Sequence, residues 1–172
     1  PLMTEQAVVP PVLTATLAKS WAYFKDQLEA SAWNRLQVAL ADLTLAADFD
    51  RLLATSEFFR DQFIRHRDWA LTELEAGRLF RCSDLEGESW EDALSQLVLD
   101  NASEDAVMSA LRVFRNRQML KIVAGELSGR VTLSETFQAL TQLADIAIQF
   151  SVRWSSAKLS QRFGHPVGEW SG

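Results

Sequence analysis

The stretch from Ala110 to Ile148, ALRVFRNRQMLKIVAGELSGRVTLSETFQALTQLADIAI, decides the fold. At 100° per residue Met108, Leu111, Phe114, Met119 and Ile122 fall on one helical stripe. Arg115 falls inside that stripe, and an unpaired guanidinium in a core costs several kcal/mol (roughly, by desolvation), so Arg115 is expected to form a buried ion pair with Glu126 or with an acid from another helix. Arg112 lies beside the stripe, and Arg117 and Lys121 lie across from it. The helix should stop at Gly129, a residue suited to the left-handed C′ position, and Thr132 with Glu135 has the spacing of a capping box for the next helix.

That next helix, Leu133 to about Phe163, carries two apolar strips. Leu133, Phe137, Leu140, Ala144, Ala147, Ile148 and Leu159 make one; Leu143, Ile146, Phe150 and Trp154 make another beside it. Two strips are too wide for a helix with one neighbour, so a central position is expected. Working outward, helices are predicted from Val12 to about Ala30 and from about Trp33 to Ala46. Two short ones follow, Asp48 to Ala54 and Ser56 to about Arg65, the latter with a Ser N-cap and with Phe59 and Phe63 one turn apart. Asp68 to Ala76 is another, stopped by Gly77, and Arg78 to Glu88 reads as a surface loop. Ser89 caps a helix through Leu99, and Ser103 caps the long basic helix. No run alternates long enough to build a sheet. The fold class is therefore all-α, a helical bundle with a long C-terminal helical hairpin.

Composition bounds the function classes. The 172 residues, 48% hydrophobic and 23% charged, suit one globular domain. The prolines, at 1, 10, 11 and 166, leave the interior free of helix breakers. Cys82 is the only cysteine, which excludes an intramolecular disulfide and points to a cytoplasmic location. No signal peptide and no long uncharged apolar window occur, so no membrane association is expected. A net charge of -6 argues against nucleic-acid binding. Eight acids and no Lys or Arg lie between Cys82 and Leu111, directly before the basic helix. They read either as a solvated face with acids at a helix N-terminus or as part of a charge-segregated docking surface.

No constellation for catalysis emerges. His66-Arg67-Asp68 copies a kinase catalytic loop only superficially, since no Gly-rich loop or Asp-Phe-Gly accompanies it; a corner where Trp69 packs and Asp68 caps is the better reading. His66, Cys82 and His165 are too dispersed for a zinc site or a nucleophilic triad. Gly125 and Gly129 do not sit between a strand and a helix, as a phosphate loop requires. The six tryptophans read as core, except Trp170 in the terminal tail. That leaves Arg112, Arg117 and Lys121. They are either a solvated face or an edge that contacts another domain or nucleotide phosphates.

The residues also carry a family resemblance. Leu111-Arg112-Val113-Phe114-Arg115-Asn116-Arg117, Met119-Leu120-Lys121-Ile122, Leu127-Ser128-Gly129 and Leu140 with Leu143-Ala144-Asp145 resemble the bifunctional glutamine synthetase adenylyltransferase and adenylyl-removing enzymes. Ser56-Glu57-Phe58-Phe59, then His66-Arg67-Asp68-Trp69 and Thr72-Glu73-Leu74-Glu75, look like the amino-terminal segment of that family's adenylyl-removing half. Arg162-Phe163-Gly164-His165-Pro166 is similar to the Arg-Tyr-Gly-x-Pro stretch before its catalytic domain. The resemblance runs from about Asp48 to Pro166. Arg67 replaces a usual proline, and Asn116 interrupts an arginine triplet. The family's Gly-Lys-Leu-Gly-Gly turn and Ser-Asp-x-Asp strand do not occur in this sequence.

The resemblance implies a helical lead segment, one domain over 1–172 with 1–11 mobile and 164–172 a tail leading toward a nucleotidyltransferase domain that this sequence does not contain. For the family enzyme it implies magnesium and ATP, transfer of AMP to a tyrosine of glutamine synthetase, removal by phosphorolysis, and control by a nitrogen-regulatory protein. In this segment it implies no catalytic, cofactor-binding or metal-binding residue. Its partner would be the catalytic domain of the same polypeptide, reached through Arg112, Arg117 and Lys121. A stand-alone helical protein-interaction module is the alternative.

Overall fold

A computed structural model describes residues 9–82, 89–98 and 102–164. Every regular element among them is a helix. A 3₁₀ turn at Pro11–Leu13 leads into α1 (Thr14–Gln27), followed by α2 (Ala30–Ala39), α3 (Leu43–Thr55), α4 (Glu57–Arg65), α5 (Arg67–Glu75), α6 (Trp90–Leu97), α7 (Glu104–Ser128) and α8 (Leu133–Phe163). Residues 1–8 of the expected mobile start, most of the 164–172 tail including Trp170, and residues 83–88 of the expected loop lie outside the described residues.

The helix boundaries follow from local chemistry. Ser56, Ser89 and Ser103 cap α4, α6 and α7 by accepting from the amides of Phe59 (3.1 Å), Asp92 (3.1 Å) and Ala106 (3.3 Å). Gly129 ends α7 at φ 72°, a left-handed conformation that costs glycine nothing. Thr132 and Glu135 close a reciprocal capping box at the start of α8. One boundary departs from the sequence reading. In place of helices over 33–46 and 48–54, α2 stops at Ala39 and α3 begins at Leu43. Asp42 Oδ1 accepts from the amides of Thr44 (2.8 Å) and Leu45 (3.1 Å) and so restarts the chain as a new helix.

Two apolar clusters form the core. The first gathers α1 to α5 around Phe24, Phe49, Phe59 and Phe63, each fully buried, with neighbouring ring centroids 5.3–5.9 Å apart. The second joins Trp90 and Leu94 of α6, Phe114 and Ile122 of α7, and Ala139, Leu143 and Ile146 of α8. α7 serves both, with Leu120 and Ala124 in the first and Phe114 and Ile122 in the second. Polar ties fix the layers. Arg35 of α2 grips Glu75 of α5 at 2.7 Å, Arg130 reaches Asp48 of α3 at 2.8 Å, and Arg51 of α3 donates to the carbonyl of Ser128 at the end of α7, 3.3 Å away.

Two further expectations need correction. The segment after Gly77 is not a surface loop where it is described. Leu79, Phe80 and Cys82 are buried, because the chain turns inward once Arg78 and Leu79 donate their amides to the carbonyl of Glu73. Nor is α8 central. Its strip of Thr136, Ala139, Leu143 and Ile146 faces the core, whereas Leu133, Phe137, Ile148 and Leu159 are exposed, since its main neighbours, α7 and α6, share one side.

Candidate functional site

Helix α7 carries the four basic residues singled out in the sequence, and the fold sends them to different environments. Lys121 extends to Glu73 of α5, Nζ to Oε2 at 3.2 Å, while Arg78 donates to the other oxygen of the same carboxylate at 2.5 Å. Glu73 is 8% exposed. Burial by itself would raise its carboxyl pKa, but the hydrogen bond from Arg78, then the charge and hydrogen bond of Lys121, outweigh it and hold the group below the usual carboxylate range. The buried ion pair of this helix therefore belongs to Lys121.

Arg115, expected to be that buried pair, is exposed and donates to the side chain of its neighbour Asn116 at 3.2 Å. The stripe analysis failed here because α7 is flanked on several sides, by α3 and α4, by α6 and by α8, so no single stripe defines its buried surface. Glu126, the partner considered for Arg115, instead accepts from the Thr136 hydroxyl across the α7–α8 turn. Arg112 is exposed. Arg117 is half-buried, with its guanidinium 5.3 Å from the Trp69 ring centroid. Desolvation lowers its pKa, against the opposing attraction of Glu73.

Buried polar atoms occur on α7, on α4 and at the corner between α4 and α5. Arg117 Nε, Gln118 Oε1, Gln62 Oε1 and His66 Nε2 are buried and lack a hydrogen-bond partner among the described residues. Burial, then repulsion from Arg117 and Arg65, lowers the His66 pKa, which favours the neutral imidazole in the fold. The His66 corner is structural in a way the sequence did not show. His66 is at once the C-cap of α4 and the N-cap of α5 and makes no side-chain capping bond, while Asp68, expected to cap, sits exposed in the first turn of α5. Trp69 packs against the first core cluster as expected.

Cys82 lies against α7, with Sγ 3.8 Å from the carbonyl of Ile122, and burial followed by the charges of Glu126 and Glu135 pushes the thiol up to about 11. Burial and a raised pKa make this thiol a poor nucleophile at neutral pH. The approach of residues 80–82 to α7 also explains the glycine within that helix. A Cβ on Gly125 would lie 2.9 Å from Cys82 Sγ and 3.1 Å from the Phe80 carbonyl oxygen. Nothing local in the sequence marks residues 80–82 as the neighbour of Gly125.

A groove of about 640 Å³ opens between the start of α6 and the middle of α8, with Trp90, Glu91, Phe137, Gln142 and Asp145 in its walls. Its carboxylates are not gathered with other ligating groups. Among the described residues no three His, Cys, Asp or Glu side chains converge on a point, and no helix is long and apolar enough to cross a membrane. What the described residues do show around Arg117 and Lys121 is packing on Trp69 and ion pairing with Glu73.

Comparison with known proteins identifies the family. A family model described as glutamate-ammonia ligase adenylyltransferase matches residues 46–172. Curated relatives named bifunctional glutamine synthetase adenylyltransferase/adenylyl-removing enzyme include one from Pseudomonas aeruginosa, 35% identical over 84% of this chain. Another from Nitrosococcus oceani is 30% identical over 95% of the chain, and one from Pseudomonas syringae pv. tomato is 33% identical over 96%. The chain spans only 14% to 16% of the length of these relatives. No solved structure matches it. The family match covers most of the chain, including most of α3 and all of α4 to α8, and the protein belongs to the glutamate-ammonia ligase adenylyltransferase family.

Proposed function

We propose that this chain is a helical lead segment of a glutamine synthetase adenylyltransferase and adenylyl-removing enzyme, and that it acts as a scaffold for the catalytic domain without carrying out AMP transfer by itself. The observation behind this reading is that the family match falls on a body whose described elements are all helical, with two of the singled-out cations of α7 engaged in holding it together. Lys121 is engaged by Glu73, and Arg117 rests on Trp69.

Magnesium and ATP belong to the activity proposed for the whole enzyme, and the residues described do not suit them. A magnesium-bound nucleotide needs clustered carboxylates and amide-lined or cationic phosphate contacts. The described residues offer no such cluster of ligating groups. By the family resemblance, the nucleotide would be held by the catalytic domain of the same polypeptide, and glutamine synthetase and a nitrogen-regulatory protein would be partners of the whole enzyme. Of the residues offered as interdomain contacts, Arg112 is exposed and remains available for the role. Lys121 and Arg117 support it indirectly, by fixing α7 against α5.

The test is an assay of AMP transfer to glutamine synthetase, and of its phosphorolytic release, on the 172-residue chain and on its parent polypeptide. Activity in the parent and none in the chain is expected. Turnover by the chain alone would overturn the scaffold assignment.

A further inference from the structure

Helix α8 has two apolar sides, and the fold uses one. Thr136, Ala139, Leu143 and Ile146 enter the core. On the far side of the helix, about 170° away at 100° per residue, a second strip comprises Leu133, Phe137, Ile148, Val152, Leu159 and Phe163. Each of these is between 57% and 71% exposed. A helix of 31 residues is about 46 Å long, and the strip follows it from end to end.

Water-facing helix surfaces are normally studded with charge, and this one is not. From Thr136 to Val152 the only charged residue is Asp145. Long apolar strips with so little charge mark surfaces that are covered in the working protein. The last turns differ. Arg153, Lys158 and Arg162 have no carboxylate partner among the described residues, and Lys158 and Arg162 lie over the rings of Trp154 (5.6 Å) and Phe163 (5.0 Å).

We propose that the Leu133–Phe163 face of α8 is an intramolecular docking surface. It would be covered by another part of the same polypeptide that is apolar opposite the first five turns and carries carboxylates opposite Arg153, Lys158 and Arg162. This rests on the functional reading above, and it deepens it by naming the surface. The occupant is identified by length and chemistry together. In the curated relatives, the stretch matching this chain is 14% to 16% of a single polypeptide, so most of the molecule that could cover the strip is covalently attached to it. A tethered partner arrives at high effective concentration and needs no separate binding affinity. Arg112, Arg117 and Lys121 offer no comparable continuous surface.

The experiment is thiol labelling of Ile148→Cys and, separately, Val152→Cys, in the 172-residue chain and in its parent polypeptide. Rates are read by peptide mapping and normalised to the urea-unfolded protein. Both positions are exposed, so the substitutions are compatible with folding, and Cys82 is buried and stays silent at neutral pH. Labelling at least about tenfold slower in the parent is the expected result, as for a side chain reached only through local opening. Equal rates in a parent that modifies glutamine synthetase would overturn the proposal. So would slow labelling already in the 172-residue chain, accompanied by sedimentation as a dimer that Ile148→Asp converts to a monomer, since a second copy would then be the occupant. A parent that shields both positions but has no activity on glutamine synthetase would sink the functional reading and leave the surface assignment standing.

Discussion

Glu73 is the residue on which the polar interior depends, because one carboxylate at 8% exposure joins α5, the segment after it and α7 through Arg78 and Lys121. Removing its charge leaves Lys121 half-sequestered without a partner. Glu73→Gln should therefore lower stability by about 2 kcal/mol, read as a shift in the urea midpoint; this is less than a fully enclosed pair would lose, because Arg78 can turn to solvent. Arg115→Ala should stay within about 0.5 kcal/mol of the parent chain, as an exposed side chain bonded only to its neighbour. The sequence carried the inverse ranking of these residues. Helical spacing correctly put four basic side chains on one helix, but Glu73 lies 48 positions from Lys121 and no local pattern announces that pairing. His66 adds a pH dependence. Its folded pKa is depressed, so the unfolded chain takes up a proton near 6.5 while the folded one resists it. Stability attributable to neutral His66 is complete above about pH 6.5 and is lost as the pH falls below it. A urea midpoint that drops between pH 7.5 and 5.5 in the wild-type chain, and drops less in His66→Asn, is the expected outcome; the carboxylates with lowered pKa, such as Glu73, release their contribution only at lower pH.

At the scale of the helix, what was legible was what is local. Ser56, Ser89, Ser103, Thr132 with Glu135, and Gly129 all act at the ends where their side chains or conformational freedom suit a terminus. The same rule, applied at Asp42, would have found the start of α3, which was obscured by the apolar residues running through it on both sides. What was not legible is the inward turn of residues 79–82, since Arg81, Gly77 and the acids beyond read as loop while Leu79 and Phe80 pack in the core. Gly125 is the matching half of that contact. Gly125→Ala gains about 1 kcal/mol of helix propensity but presses a methyl group against a backbone carbonyl and a sulfur, an overpacking cost of about 1–3 kcal/mol. The net expectation is destabilisation on thermal melting, partly relieved in Gly125→Ala with Cys82→Ala, which removes the 2.9 Å sulfur contact but not the 3.1 Å carbonyl contact. Full rescue by the second substitution would show that the carbonyl can yield.

Across the whole molecule, α7 binds the aromatic cluster of α1 to α5 to the smaller cluster under α6 and α8, with Leu120 and Ala124 serving one and Phe114 and Ile122 the other. Neither cluster can lose its wall without disturbing the other. Unfolding in urea should therefore be one transition, with far-UV circular dichroism and tryptophan fluorescence tracing the same curve. Separate midpoints would mean that the α6–α8 side melts independently. The all-helical class was legible from periodicity and from prolines confined to the ends, but the position of α8 was not. Two apolar strips announce neighbours on two sides, whereas the described neighbours, α7 and α6, share one side. One mechanical property follows from that arrangement. Beyond Ile146 no α8 residue is buried, and from Ser155 to Phe163 all but Ser160 stand exposed. The helix is a cantilever, clamped along its first half and unsupported at its tip. A tilt of about 10° at Trp154 swings Phe163 by about 2 Å, given about 1.5 Å of rise per residue, so the aim of that free end is governed by whatever load it bears.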